Sequence, residues 1–400
     1  MINNVRIING TIVTPSAEIS QGTIEIENGM ITSILPHSRS TGASHEIDAS
    51  GKWILPGLID SHSDAIEMEM QPRPTTIFPA KQAFLELEKK LVAQGITTTY
   101  HSLSMLEDPK KWVRKNENVI ALLEEIRNLT NSNRLMNHFI HLRFEITNFV
   151  GAEFVKGFLK EEKIDQLSFM DHTPGQGQYR DLEVQKRYMM GKQNLTEKEI
   201  EHWLEHKKSM GKVNPAVLSD IARLAEEKGV PLASHDDDTI EKVELAQSWN
   251  AVISEFPITL EVASEAKRRG MAVAMGAPNV LLGRSHSNNL SAREAIINKA
   301  VDILCSDYYP PSLLQSIFFL HTELGIPLPQ AVNMVTINPA EALGIGKQTG
   351  SLEEGKNADI IMVDLQDSYP IVEQVFVKGK QVCEMRYGLT PYNKVEEGLL

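Results

Sequence analysis

The middle of the chain alternates short apolar stretches with longer amphipathic ones. Eight stretches rich in apolar and β-branched residues indicate buried strands, at residues 53–61, 97–102, 138–145, 166–170, 231–234, 251–256, 271–275 and 302–306. The residues between them have helical spacing; Phe84, Leu87 and Leu91, for example, share one helical face that ends at Gly95. Eight strands that alternate with helices predict a (β/α)₈ TIM-like barrel of the α/β class.

Both ends of the chain have a different pattern. Residues 5–34 form short alternating strands separated by turns at Asn9-Gly10 and Asn28-Gly29, and similar strands follow at 358–363 and 374–377. Neither end is long enough to form a large domain alone. We therefore predict that residues 1–52 and 347–400 combine into one small composite β-sandwich, with a C-terminal tail, and that residues 53–346 form the barrel.

One connection inside the predicted barrel is unusually long and polar. It runs from about residue 173 to about residue 215, between the fourth and fifth strands, and carries Arg180 and Arg187. Connections of this length usually serve as lids or binding loops. We expect a lid over the barrel here, with a helix near residues 197–210.

Composition narrows the classes of function. The 400 residues include 40 Lys+Arg and 53 Asp+Glu, so the net charge of −13 disfavours binding to nucleic acids or anionic membranes. Two cysteines, Cys305 and Cys383, are too few for a disulfide framework or a cysteine-based metal site. The sequence shows neither a signal-peptide core nor an apolar run of roughly 18 residues. We expect a cytoplasmic protein that acts on a small molecule.

Metal-binding residue types follow the predicted strands. The carboxyl ends of the strands form the active site of such a barrel. The candidate ligands there are His62, Asp64, Glu145, His172, His235 and Asp307. Each histidine alone would more often be an ordinary polar residue, but their joint position favours a divalent metal, with zinc first and manganese or iron as alternatives. Such an ion activates water for hydrolysis, and Asp307 is the candidate that takes and passes the proton.

A second group of residues can bind an anion. Arg73 lies between Pro72 and Pro74, which restrict the backbone that carries its guanidinium. The loop after strand seven precedes a predicted helix, and loops in this position often bind phosphate. The candidate substrate-binding residues are Arg73, Arg143, Asn279, Arg284, Ser285, His286 and Asn289, with Arg180 and Arg187 from the lid. The alternative is a polar surface loop in which Ser291 and Glu294 cap the next helix.

Two motifs frame the predicted barrel, LPGLIDSH at residues 55–62 and GSLEEGKNAD at 350–359. Together with the terminal strands, they resemble the amidohydrolase superfamily over nearly the whole chain. Five further motifs occur in order: HSD at 62–64, HLRFE at 141–145, DHTPGQ at 171–176, SHDD at 234–237 and MGAPN at 275–279. Their combination resembles a narrower family, the ribose 1-methylphosphonate 5-triphosphate diphosphatases of the carbon–phosphorus lyase pathway.

The resemblance implies a metal-dependent barrel with one or two divalent ions. It also implies a small ribose triphosphate phosphonate substrate, cleaved between the α and β phosphates with release of pyrophosphate. Two positions depart from the superfamily pattern: Asp64 replaces the second histidine of the usual His-x-His, and the sixth strand ends in Glu255 rather than a histidine. The number of ions, the bridging role of Glu145 and the presence of a homo-oligomer therefore stay open.

Two other functions also stay open. A different amidohydrolase reaction, such as deamination or cyclic-amide hydrolysis, would use the metal site but would not need Arg73 or Arg284. A metal-free scaffold is the least favoured alternative, because a chain released from catalysis has no physical reason to keep the strand-end ligands.

Overall fold

The computed structural model describes residues 4–36, 45–73, 75–107, 112–180, 182–183, 185–186, 190, 196–285, 287 and 289–387. The strands are β1 (Asn4–Val13), β2 (Glu18–Glu27), β3 (Met30–Pro36), β4 (Glu46–Asp48), β5 (Trp53–Pro56), β6 (Leu58–Ser63), β7 (Ile96–Met105), β8 (Asn137–Glu145), β9 (Gln166–Met170), β10 (Leu232–His235), β11 (Ile253–Glu255), β12 (Ala272–Gly276), β13 (Ile303–Cys305), β14 (Ile360–Gln366), β15 (Tyr369–Val377) and β16 (Lys380–Glu384).

The α-helices are α1 (Ala65–Met70), α2 (Ala80–Ala93), α3 (Asn116–Thr130), α4 (Gly151–Lys160), α5 (Glu197–Ser209), α6 (Pro215–Glu227), α7 (Ile240–Ser248), α8 (Leu260–Arg268), α9 (Ala277–Leu282), α10 (Ala292–Ile297), α11 (Ser312–Leu324), α12 (Leu328–Asn333) and α13 (Ile337–Ala342). Two 3₁₀ helices lie at Trp112–Arg114 and Gly177–Tyr179. Within the described residues, no helix is both long enough and apolar enough to cross a bilayer.

Strands from both ends of the chain form one sheet, as the sequence predicts. Its order is β16-β15-β14-β5-β1-β2-β3, and β4 pairs with β1. Isoleucines dominate the buried layer on this sheet, which includes Ile7, Ile24, Ile54 and Phe376. Such β-branched side chains pack well on a pleated surface.

The predicted strand at 53–61 is wrong as a single element, because it divides at Gly57. Trp53–Pro56 pairs with β14 and β1. The sheet formed by the two termini therefore extends past residue 52, where the sequence analysis ended the N-terminal part of that domain. Leu58–Ser63 begins the barrel. A Cβ at Gly57 would lie 2.2 Å from Thr97 Oγ1, so only glycine fits where the chain passes from one sheet to the other.

The remaining strands form a nearly closed parallel barrel in the order β6 to β13, which confirms the predicted fold class. Its two edge strands meet through backbone groups: Asp307 N donates to His62 O at 3.0 Å, and Asp64 N donates to Asp307 O at 2.7 Å. Below this contact, Ser306 N and Oγ donate to the Asp60 carboxylate at 2.9 and 2.6 Å. The seam therefore fixes the ends of the first and eighth strands beside each other.

The helices pack on the outside of the barrel. In α2, Phe84, Leu87 and Leu91 are buried as predicted, and Gly95 follows the helix with a φ of 82°. A positive φ favours glycine because it has no Cβ. The long connection contains α5, whose first turn is closed by a capping box between Thr196 and Glu199.

Candidate active site

The six predicted ligands lie at the carboxyl ends of the barrel strands. His62 is on β6, Asp64 begins α1, Glu145 ends β8, His172 follows β9, His235 ends β10 and Asp307 follows β13. Two groups have ligand atoms within 4.8 Å of one another: His62, His141 and Glu255, and His172, His235 and Asp236. Of the six predicted ligands, His62, His172 and His235 belong to these groups, whose other members, His141, Glu255 and Asp236, were not named as ligands from the sequence.

Glu255 lies at the centre of the first group. Its Oε1 is 3.1 Å from His62 Nδ1, and its Oε2 is 3.1 Å from His235 Nδ1. The two imidazole rings lie nearly parallel, with centroids 5.5 Å apart and an interplanar angle of 14°. Gln166 Nε2 also donates to Oε1 at 3.3 Å. One carboxylate thus contacts two candidate ligands through the same ring nitrogen of each.

These histidines are electrically neutral. Burial, followed by the nearby Arg143 guanidinium, lowers the pKa of His62 to about 3 and that of His235 well below its usual value. Burial also lowers the pKa of His141 to about 3. For Glu255, burial opposes ionisation, but the contacts of its carboxylate with His141 and His235 lower its pKa overall. A neutral imidazole keeps one lone pair, which a metal ligand requires.

The second group, His172, His235 and Asp236, lies at the ends of the neighbouring strands β9 and β10. Asp236 Oδ2 is 3.5 Å from His235 Nε2 and 4.0 Å from His172 Nε2. Glu145 Oε2 is 2.8 Å from His172 Nδ1, and its oxygens also accept from His172 N at 3.4 and 3.3 Å. Burial raises the pKa of Asp236 to about 7. Glu145 therefore orients the His172 ring.

Two guanidinium groups donate hydrogen bonds to the Asp64 carboxylate. Arg143 Nη1 donates to Asp64 Oδ1 at 2.8 Å, and Arg114 Nη2 donates to Oδ2 at 3.2 Å. Glu67 Oε2 accepts from Arg114 Nε at 2.7 Å. Arg143 Nη2 also lies 3.0 Å from His235 Nε2. The region around Asp64 therefore contains fixed positive charge. Sequence analysis did not name Arg114, although it lies in the connection that follows β7.

Asp307 lies at the seam of the barrel, partly exposed to the cavity. Desolvation, and then repulsion from Asp64, raise the pKa of Asp307 well above its usual range. Asp236, Phe256 and Asp307 all have left-handed backbone conformations, with φ of 55°, 54° and 55°. Such residues cost roughly 1–3 kcal/mol each and concentrate at functional sites. Here they turn three strand ends around the same cavity.

The predicted anion-binding residues differ in their exposure and in their hydrogen bonds. Arg73, Arg180 and Arg284 are exposed. Asn279, within α9, bonds to the chain at the start of α10: Nδ2 donates to Leu290 O at 3.0 Å and Oδ1 accepts from Ala292 N at 3.1 Å. Arg187 and His286 lie outside the described residues.

The loop after β12 contacts the start of the long connection. Asn289 Nδ2 donates to Gln178 O at 3.2 Å, and Gly177 N donates to Asp238 Oδ2 at 2.8 Å. Within the loop, Ser285 Oγ accepts from Ser287 N at 3.2 Å. The 3₁₀ helix at Gly177–Tyr179 therefore lies beside the strand ends, and Arg180 follows it directly.

Comparison with known proteins gives matches over nearly the whole chain. The family model described as "Amidohydrolase family" matches residues 53–383. The α-D-ribose 1-methylphosphonate 5-triphosphate diphosphatase of Escherichia coli is 34% identical over 96% of this chain and 100% of that protein. An imidazolonepropionase of Treponema denticola is 25% identical over 91% of this chain and 92% of that protein.

The fold is also similar to solved structures. Dihydropyrimidinase from Brevibacillus agri superposes with a TM-score of 0.65 at 15% identity, over 95% of each chain. At this identity, the likeness supports the barrel and the composite sheet alone.

Proposed function

Because this chain belongs to the amidohydrolase family, we propose that it is a metal-dependent triphosphate diphosphatase of phosphonate utilisation. It cleaves α-D-ribose 1-methylphosphonate 5-triphosphate into the corresponding 5-phosphate and pyrophosphate. The observation that carries this proposal is the similarity to the Escherichia coli diphosphatase, 34% identical over 96% of this chain. The arginines inside the cavity support it, since a triphosphate needs cations around it and a neutral cyclic amide does not.

The residues of the cavity fit a divalent ion, and we propose zinc. His62 Nε2 is buried and has no hydrogen-bond partner within the part of the chain that the structure describes. An unpartnered buried nitrogen is costly unless something binds it. The ligands proposed for one or two ions are His62, Glu145, His172, His235, Asp236 and Asp307. When bound, the ion acidifies the attacking water and polarises the phosphoryl group.

The arginines supply the charge that binds the triphosphate. Arg143 and Arg114 are held in place by Asp64, and Glu67 fixes Arg114 further. Because these guanidiniums are ordered before substrate binds, little side-chain entropy is lost when phosphate oxygens replace or join the carboxylates. We propose that Asp64 serves this anchoring role, and that Arg73, Arg180 and Arg284 extend the positive charge at the mouth.

Asp307 is the proposed proton carrier. A carboxylate beside the proposed ion position can take a proton from water and pass it to the leaving oxygen. The left-handed backbone at Asp307 and the seam with β6 hold it beside His62. Its function thus depends on the closure of the barrel.

The decisive experiment is phosphorus NMR of zinc-reconstituted protein with the ribose triphosphate in ¹⁸O-labelled water. We expect pyrophosphate and ribose 1-methylphosphonate 5-phosphate in equal amounts. The isotope shift then shows which product received the water oxygen, and so which phosphorus was attacked. Arg223→Ala, which alters an exposed arginine of α6, is the matched control and should retain full activity.

Two results would count against the proposal. An unchanged triphosphate with metal bound would reject the diphosphatase activity. Turnover of a cyclic amide by the same sample, unaffected by Arg143→Met, would instead support the alternative amidohydrolase reaction.

A further inference from the structure

We infer that Glu255 is a positioning residue that holds His62 and His235 in one tautomer, with Nδ1 protonated and Nε2 bare: the Nε2 of His62 has no hydrogen-bond partner among the described residues, and the Nε2 of His235 accepts from Arg143. The inference rests on the proposed metal-dependent function, and it explains why the sixth strand ends in a carboxylate. Glu255 would then be the residue behind two ligands, rather than a ligand that replaces a histidine.

The hydrogen bonds of His235 define its tautomer. Arg143 Nη2 can only donate, so His235 Nε2, 3.0 Å away, must be the acceptor. The proton of the neutral ring is therefore on Nδ1, which lies 3.1 Å from Glu255 Oε2. An ionised carboxylate only accepts, so the two contacts of this ring require the same proton position.

His62 has the same arrangement. Its Nδ1 lies 3.1 Å from Glu255 Oε1, so Nδ1 is the donor here too. The remaining lone pair is on Nε2, the buried nitrogen without a hydrogen-bond partner among the described residues, 4.0 Å from Asp64 Oδ1. The unpartnered nitrogen of His62 therefore lies on the Asp64 side of the ring, away from Glu255.

The surroundings of Glu255 favour this single arrangement. Phe256 packs edge-on against both imidazoles, with centroids 5.0 Å from His62 and 5.3 Å from His235. This apolar wall keeps water from competing for the Nδ1 protons. Glu255 itself is 1% exposed, so its hydrogen bonds to the two imidazoles form in a medium of low dielectric, where they are strong.

The competing arrangement makes Glu255 a ligand together with His62 and His141, whose atoms also fall within one metal-sized group. In that case an ion would bind the carboxylate directly, and His62 would have to present Nδ1 unprotonated. The two arrangements therefore predict opposite tautomers for His62.

The test is a long-range ¹H–¹⁵N correlation spectrum of the metal-free full-length chain labelled at histidine nitrogen. His62→Gln and His235→Gln assign the two rings. We expect both rings as the Nδ1–H tautomer. In Glu255→Gln, at least one ring should convert to Nε2–H, because the amide offers one acceptor and one donor. Glu261→Gln, on the exposed face of α8, should change neither ring.

Zinc titration gives a second readout. Since residues behind a ligand typically contribute 10–100-fold to metal affinity, Glu255→Gln should weaken zinc binding by about that factor at unchanged stoichiometry, and Glu255→Asp should recover part of the loss. His62 as Nε2–H in the wild type, or loss of one whole ion in Glu255→Gln, would overturn the inference. Correct tautomers in a protein that leaves the triphosphate intact would instead reject the proposed function alone.

Discussion

The histidine–carboxylate cluster around Glu88 and the one around Glu255 differ in which ring nitrogens make hydrogen bonds. Between β8 and α2, His138 uses both nitrogens: Nδ1 lies 3.0 Å from His101 Nε2, and Nε2 lies 3.1 Å from Glu88 Oε1. At the strand ends, His62 uses only Nδ1, also 3.1 Å from a carboxylate. The same residue types at the same distance form a structural cluster in one place and an open site in the other.

The difference shows that residue type alone does not make a metal site. Glu88 Oε1 also accepts a hydrogen bond from Leu135 N at 2.7 Å. Phe84 packs against the rings of His101 and His138. The cluster beside α2 is therefore a completed hydrogen-bond chain in the helix–strand layer. The cluster around Glu255 leaves His62 Nε2 without a hydrogen-bond partner among the described residues, and a ligand needs such an unused lone pair.

The largest expected effect is at the seam. Asp307→Asn should lower kcat by roughly 10²–10⁴-fold, because an amide cannot carry the proton. The melting temperature should change little, since the backbone contacts that close the barrel do not involve the side chain. Pyrophosphate release and a thermal melt on the same sample measure both quantities. Wild-type turnover in this variant would remove Asp307 from the mechanism.

Exchanging one histidine in each cluster tests the comparison directly. His62→Gln should weaken zinc binding by more than the roughly 10–100-fold expected for a residue behind a ligand, with a small effect on unfolding. His138→Leu should leave zinc binding intact but destabilise the fold by about 3 kcal/mol, since Glu88 loses a buried partner. Metal analysis after dialysis and urea unfolding provide the two readouts. Equal effects of both substitutions on zinc would contradict the distinction.

The charge of the cavity is the next feature to test. Arg143→Met keeps the side-chain length but removes the guanidinium. A hydrogen bond to a charged group contributes roughly 1.5–3 kcal/mol, so kcat/KM for the triphosphate should fall by about 10–100-fold. Steady-state kinetics with Arg223→Ala as the control measure this. A fall no larger than in the control would mean that Arg143 does not contact phosphate.

The smallest expected effect is a change in acid stability. Burial, and then the neighbouring His138, lower the pKa of His101 well below its usual value. The unfolded chain therefore binds a proton below about pH 6.5 that the folded chain does not, and the free energy of unfolding falls as pH decreases. His101→Gln should make this fall shallower.

Urea unfolding at pH 7.5 and pH 5.5 gives the slope for each variant. His202→Gln, on the exposed side of α5, should keep the wild-type slope. A slope unchanged by His101→Gln would show that the cluster beside α2 does not contribute to acid sensitivity.

Much of the fold follows from local patterns. The spacing of Phe84, Leu87 and Leu91 predicted α2, and the alternating strands at both termini predicted the composite sheet. The break at Gly57 was not predicted, because the apolar run continues through it and only contact with Thr97 reveals where the chain changes sheets.

The site was predictable as a region but not as a set of contacts. His62, His172 and His235 follow strands, and parallel strands of a barrel end on the same face, so their convergence required only the order of elements. Arg114 also lies in a connection that follows a barrel strand, β7, but no local pattern indicated that Arg114 and Arg143 would both bind Asp64. These contacts join residues of separate elements, so they form only when the fold brings those elements together.

The sequence by itself determined the barrel, the composite sheet and the face on which the chemistry lies, because each rests on periodicity or on strand order. Only the tertiary structure decided which nitrogen of each histidine faces Glu255. His62 and Glu255 are 193 residues apart in the chain, and their 3.1 Å contact arises from the closure of the barrel around one buried carboxylate. A hydrogen bond of this kind depends on distances of a few tenths of an ångström, which no local pattern of residues encodes.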